Sequence, residues 1–248
     1  MNIRIYISKN TDLPNVNESF NYIQSYIAAS DVGQHHLELI ESTADKFEYP
    51  ALDKCWQDSQ ELEFYGLYLH CKGASKTDQT ELMNGLAWLH YMLYGLLTNS
   101  KTCITHLDKG ADLVGCMWFR HFKGNCFWFK SSYVKNLIRP AFLDTANRYV
   151  AEYWCSQAYW FNSFVAFPKV KNLFYAPTCN DAEFLALRTG GYVPEIPSVT
   201  ICSDLSGCIE RSEYSVFDEL IVTKEEYDKY TDVLLKYINY DAKITIKE

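Results

Sequence analysis

"TCNDAEFLALRTGGY", residues 178 to 192, runs from a cluster of helix-capping residue types through a compact apolar repeat to two glycines and a tyrosine. A helix set between two strands must end abruptly for the chain to turn back into a sheet. Glycine after the last turn takes the left-handed conformation that ends it without Cβ strain. The stretch therefore predicts a short helix over 180 to 189, with Tyr192 anchoring a returning strand in the core.

The flanks extend this pattern. "NLFYAP" upstream is a short strand, and "SVTIC" and "YSVFDELIV" downstream are two more around a "DLSG" turn. "TKEEYDKYTDVLLKYI" closes the chain as an amphipathic helix capped by Thr223, with Glu226 three residues on. Further upstream, "RPAFLDTANRYVAEYWCSQAYWFNSFVAF" places Phe142, Ala146, Tyr149, Tyr153, Gln157, Phe161 and Phe164 at helical steps. This predicts one long aromatic helix starting at Pro140 and stopped before Pro168.

Before that helix, "TCITHL", "LVGCMWFRHF" and "CFWFKSSYV", joined by "DKGAD" and "KGN", read as three strands of an antiparallel meander. At the start, "IRIYI" is a strand, Phe20, Ile23 and Ile27 recur at helical spacing, and a second helix is expected over 34 to 47. Residues 50 to 100 fit less easily: "ELEFYGLYLHC" reads as a strand, and "TDQTELMNGLAWLHYMLYGLLTNS" as a capped apolar helix. They are expected to form an insertion or accessory layer within one domain spanning 1 to 248.

Composition limits the function classes. With 48% apolar and 16% aromatic residues the chain can fill a sizeable core. A net charge of −8 argues against a protein that holds a nucleic-acid backbone, which needs a basic surface to displace counterions. No apolar run approaches the length that spans a bilayer, and "MNIRIYISKN" lacks a signal-peptide core, so a cytoplasmic location without membrane partners is expected. Nine cysteines, an odd number, predict buried free thiols rather than a disulfide framework. "HHLE" at 35 to 38 and the pair Cys202 and Cys208 lack matching metal-ligand clusters, and no metal is expected. There is no G-x-S-x-G, P-loop or dinucleotide glycine pattern.

The strand and helix order, with Asn180 followed at fixed spacing by Gly191 and Tyr192, resembles the GNAT superfamily of N-acyltransferases. "FPKVKNLFYAP" and "YSVFDELIVTKEEY" are similar to segments of the acetyltransferase-like proteins encoded by tailed phages. The resemblance covers about 101 to 230 and, less fully, the first 30 residues. It implies an α+β fold, a mixed and mostly antiparallel sheet flanked by helices, binding acetyl-CoA or another acyl-CoA. The thioester would lie along the backbone of 127 to 134, with Phe129, Ser131, Ser132 and Val134. Arg139 would stand at the pyrophosphate cradle, and Asn180 would position the cofactor arm.

Catalysis would need a general base, for which His106 and His121 are candidates because imidazole titrates near neutrality. It would also need a general acid, for which Tyr175 and Tyr192 are candidates, since Leu187 stands where the family often has tyrosine. Phe142 and Asp144 fall where the cradle has glycines, and the fourth and fifth strands carry no carboxylate. Those departures motivate an alternative: an inactive GNAT-like phage protein, in the host cytoplasm or the virion, acting through a protein partner.

Overall fold

A computed structural model describes residues 2 to 116, 121 to 122, 124 to 143, 148 to 156, 163 to 165, 220 to 223 and 244 to 247. The opening stretch 178 to 192, with the strands and helix expected at 172 to 177, 198 to 202 and 224 to 238, lies outside them.

"IRIYISKN" forms β1 (Ile3–Asn10), buried at Ile3 and from Ile5 to Ser8 because a central parallel strand is covered on both faces. It leads into α1 (Val16–Ala29), where Val16, Ile23 and Ile27 turn inward at helical spacing. The chain returns as β2 (His36–Ser42). A helix was expected over 34 to 47; "HLELIES" instead alternates along an edge strand paired with β1 from Arg4↔His36 to Asn10↔Ser42. Next come α2 (Tyr49–Glu61), with Pro50 in its first turn, and β3 (Tyr65–His70), parallel to β1 on its other side.

β3 lies between β1 and β5, so the segment expected as an insertion supplies a central strand. α3 (Gln79–Leu93) follows, its start capped by Asp78, whose side chain accepts from the Thr80 and Glu81 amides. A π-helical turn, Tyr94–Thr98, then leads to α4 (Ser100–Asp108). "TCITHL" was expected as a strand, but Ser100, Cys103 and Leu107 are buried at helical spacing, and a short alternating run fits either period.

Of the expected meander, β4 (Leu113–Gly115) and β5 (Phe127–Lys130) are present and antiparallel, and β5 is also antiparallel to β3. The "KGN" turn is confirmed by two left-handed residues, Gly124 at φ 84° and Asn125 at φ 50°. A short helix α5 (Ser131–Val134) follows. The long helix expected over 140 to 167 is instead a 3-10 turn Pro140–Phe142, then α6 (Arg148–Tyr153), a 3-10 turn Trp154–Ser156 and β6 (Ser163–Val165). β6 pairs in parallel with β4, completing a six-stranded mixed sheet of order β2-β1-β3-β5-β4-β6. β7 (Leu220–Thr223) and β8 (Ile244–Lys247) form a separate parallel pair.

The two sides of the main sheet carry different chemistry. Ile5, Ile7, Leu67, Leu69, Val114 and Trp128 meet α1, α3 and α4 on one side. Tyr6, Tyr68, Phe127 and Phe129 meet α2 and α5 on the other. Helices α1 and α2 thus cover opposite sides, as right-handed crossovers running in opposite directions require. Each fully buried large side chain contributes about 2 to 3 kcal/mol relative to exposure.

Candidate functional site

β1 leads to β2 on one flank and β3 leads to β4 on the other, so the strand order β2-β1-β3 reverses between β1 and β3, with α1 and α3 both packed on the aliphatic side. In open sheets ligands bind beyond the carboxyl ends of the strands, at the place where the strand order reverses. A cavity of about 360 Å³ opens at that place. Ser8 and Asn10 from β1 and His70 from β3 form its base. Phe47 and Glu48 enter before α2, the loop 71 to 76 after β3, and Glu152 from α6.

Glu48 is the centre of a polar cluster. Its Oε1 lies 3.1 Å from His70 Nδ1. Its Oε2 accepts from the Tyr68 hydroxyl at 3.1 Å and from Asn125 Nδ2. His70 Nε2 donates to the Gly124 carbonyl at 2.6 Å. That carbonyl can only accept, so Nε2 is the nitrogen that donates, and Nδ1 faces the carboxylate. Burial, with Glu48 nearby, holds the Tyr68 hydroxyl far above its ordinary pKa, so it stays a donor.

The backbone around Glu48 is constrained. Among the described residues, the non-glycine residues with positive φ are Phe47, at 48°, and Asn125, at 50°. Phe47 directly precedes Glu48, and Asn125 donates to it. Strained backbone persists where its surroundings hold it, and such residues concentrate at working sites.

The loop "CKGASK", which follows His70 directly, lines the same cavity. Two overlapping turns shape it: the Ala74 amide donates to the Cys71 carbonyl at 3.3 Å, and the Lys76 amide to the Gly73 carbonyl at 2.9 Å. Gly73 has φ 81°, and a Cβ there would come within 3.1 Å of Gly85 Cα on α3. Lys72 Nζ lies 4.6 Å from the centre of the Trp88 ring, and Lys76 pairs with Glu81 at 3.0 Å.

Of the residues singled out in the sequence, His121 pairs with a residue that lines the cavity, Glu152. It stands in a bend between β4 and β5 rather than on a strand, buried, with Nε2 3.5 Å from Glu152 Oε2. His106 lies in the last turn of α4, not on a strand. Phe129 and Val134 are fully buried, and Ser131 Oγ accepts from the Phe64 amide at 3.0 Å. Ser132 is exposed on α5. Both edges of β5 are hydrogen-bonded, to β3 and to β4. Arg139 makes a two-pronged contact with Asp53, at 2.8 and 3.0 Å. None of these seven lines the cavity. Tyr175, Asn180 and Tyr192 lie outside the described residues.

Glu48, His70 and the loop lysines went unnoticed in the sequence. The available signal was "YGLYLHCKGASK": a strand ending in histidine, followed at once by a lysine and glycine loop and a capped helix. Among the described residues no helix is long and apolar enough to cross a membrane, and no cluster of three metal-ligating side chains occurs. The six described cysteines are free and buried, as expected. No protein-family model, curated protein or solved structure matches the chain.

Proposed function

We propose that the chain is an enzyme that holds a small organic substrate at the carboxyl ends of β1 and β3 and moves a proton on it with the Glu48 and His70 pair. The observation that carries this reading is the coincidence of the cavity with the carboxyl ends of β1 and β3, where the strand order reverses, with a carboxylate and an imidazole paired at its wall. Cavity residues drawn from β1, β3, the start of α2 and α6 converge there from distant parts of the sequence.

Acyl transfer from acyl-CoA to an amine, the reaction implied by the GNAT resemblance, needs a base for the ammonium proton. Glu48 answers that need in this cleft, in the role first sought at His106 and His121. The test is a panel of acyl-CoA donors with amine acceptors, followed by thiol release. Turnover that Glu48→Gln reduces at least 100-fold, with substrate binding retained, would support the reading. Equal turnover in the variant would overturn it.

A reading through protein contact is favoured by one observation. Leu37 and Leu39 stand 43% and 42% exposed on β2, at the edge of the sheet. Leu37→Lys with Leu39→Lys would abolish capture of a stoichiometric protein partner without altering small-molecule turnover.

A further inference from the structure

The loop after β3 has a directional backbone. The Lys72 carbonyl accepts from Ser19 Oγ at 3.1 Å, and the Ala74 carbonyl accepts from the Asn15 amide at 3.0 Å. Both acceptors are thereby turned toward α1. The Lys76 carbonyl is also bound there, by Asn15 Nδ2. In a trans peptide the N–H points opposite to the C=O of the same plane, and the described chain has no cis bond. The planes holding the Lys72 and Ala74 carbonyls therefore aim the Gly73 and Ser75 amides away from α1. Each is the third residue of one of the overlapping turns, so neither turn uses its N–H. Among the described residues neither amide donates to a protein acceptor.

Gly73 and Ser75 line the cavity beside Lys72 and Lys76. The neighbouring helix start is not the attraction, because Asp78 already caps the α3 amides. We infer that this loop is an anchor for a phosphate ester or diphosphate. The Gly73 and Ser75 amides donate to its oxygens, and Lys72 and Lys76 supply the countercharge. Glu81, which pairs with Lys76, is 54% exposed on its side chain, so a phosphate entering the cleft competes with a weak surface pair. Glu48 and Glu152 line the same cavity, and the Glu48 carboxylate is already met by three donors. The cleft thus offers an acid–base pair and an anion anchor to one ligand, a combination suited to a substrate that carries both a phosphate and a reacting group.

This inference rests on the reading of the cleft as the substrate site, and the experiment separates the two. The full chain, labelled with nitrogen-15, is titrated with inorganic pyrophosphate and, separately, with adenosine and uridine, while backbone amide resonances are followed. The expected result is a saturable pyrophosphate shift at Gly73 and Ser75, weakened at least tenfold by Lys72→Ala and by Lys76→Ala. Lys109→Ala, away from the cavity, leaves it unchanged, and each variant's spectrum reports its folding. Pyrophosphate shifts that ignore the two cavity lysines, or no shift at all, would overturn the anchor. If the nucleosides still shift Ser8, Asn10 and His70, the cleft stands and only the anchor fails; if neither probe shifts the cleft, both fail.

Discussion

Tyr6 and Tyr68 are direct partners in the β1/β3 register, and their hydroxyls bind opposite ends of one helix. Tyr6 donates to Asp58 in the last turn of α2 at 2.9 Å, and Tyr68 donates to Glu48 at its N-cap at 3.1 Å. Two adjacent tyrosines on the sheet thus fix both the position of α2 and the carboxylate at its start. Replacing either by phenylalanine removes a hydrogen bond to an acid and is expected to cost about 1.5 kcal/mol in urea denaturation. The two variants differ at the cleft: Tyr68→Phe changes the His70 ring resonances, whereas Tyr6→Phe leaves them in place.

Glu48→Ala is more damaging. It strips an acceptor from Tyr68, Asn125 and His70 together. A loss of about 3 kcal/mol is expected, since donors left unmatched away from solvent cost more than a hydrogen bond contributes. Glu48→Gln keeps an oxygen and should recover more than half of it. Equal stability of the two variants would refute the donor-matching account.

Gly85→Ala tests the loop. A Cβ at this position would sit 2.8 Å from Gly73 Cα, a backbone atom with no rotamer by which to escape. The expected cost is about 2 kcal/mol, with displaced Gly73 and Ser75 amide resonances. A neutral substitution would show that α3 and the loop are not in contact in solution.

The pair of Arg139 and Asp53 carries a pH signature. The hydrogen bonds from Arg139 outweigh burial and hold the Asp53 carboxyl below its ordinary value of 3.8. A lowered folded pKa gives stability that is fully present above the unfolded value and is lost as pH falls through the folded one. Asp53→Asn should therefore be less stable than the parent at neutral pH, and the difference should shrink below about pH 3.8. A difference that persists unchanged to pH 2 would assign it to packing.

Burial pushes the thiols of Cys71, Cys103, Cys126 and Cys155 up to about 12, and those of Cys55 and Cys116 upward as well. Few are thiolates at neutral pH, and all six are buried, Cys71 in the wall of the cleft. Ellman's reagent at pH 8 should label at most Cys179, Cys202 and Cys208 before global unfolding. Fast labelling of a fourth thiol would contradict the packing.

The parts of the fold legible in the sequence were those with one unambiguous local signal. β1 carried β-branched residues, α1 kept a helical repeat, Asp78 announced the start of α3, and Gly124 with Asn125 marked the turn before β5. β2 was misread because an edge strand exposes alternate residues, so "HLELIES" lacks the apolar run of its parallel neighbours. α4 was misread because six residues do not separate a period of two from one of 3.6. The cleft was illegible for a different reason. Its residues come from the ends of β1 and β3, the start of α2, and α6, and strand order, which brings them together, is not written in any one segment.

The partition of the sheet into an aliphatic and an aromatic side gives the chain two built-in optical reporters. Trp128 is sealed among the aliphatic residues and Trp154 among the aromatic ones, both at 0% exposure. With Trp56, Trp88, Trp118 and Trp160 replaced by phenylalanine, removing one of these two indoles at a time lets the emission of the other report on its own half of the interior during unfolding. Because β1, β3 and β5 present side chains to both halves, the two emission curves should superimpose; separated midpoints would mean that one layer of helices can lift away while the strands stay paired.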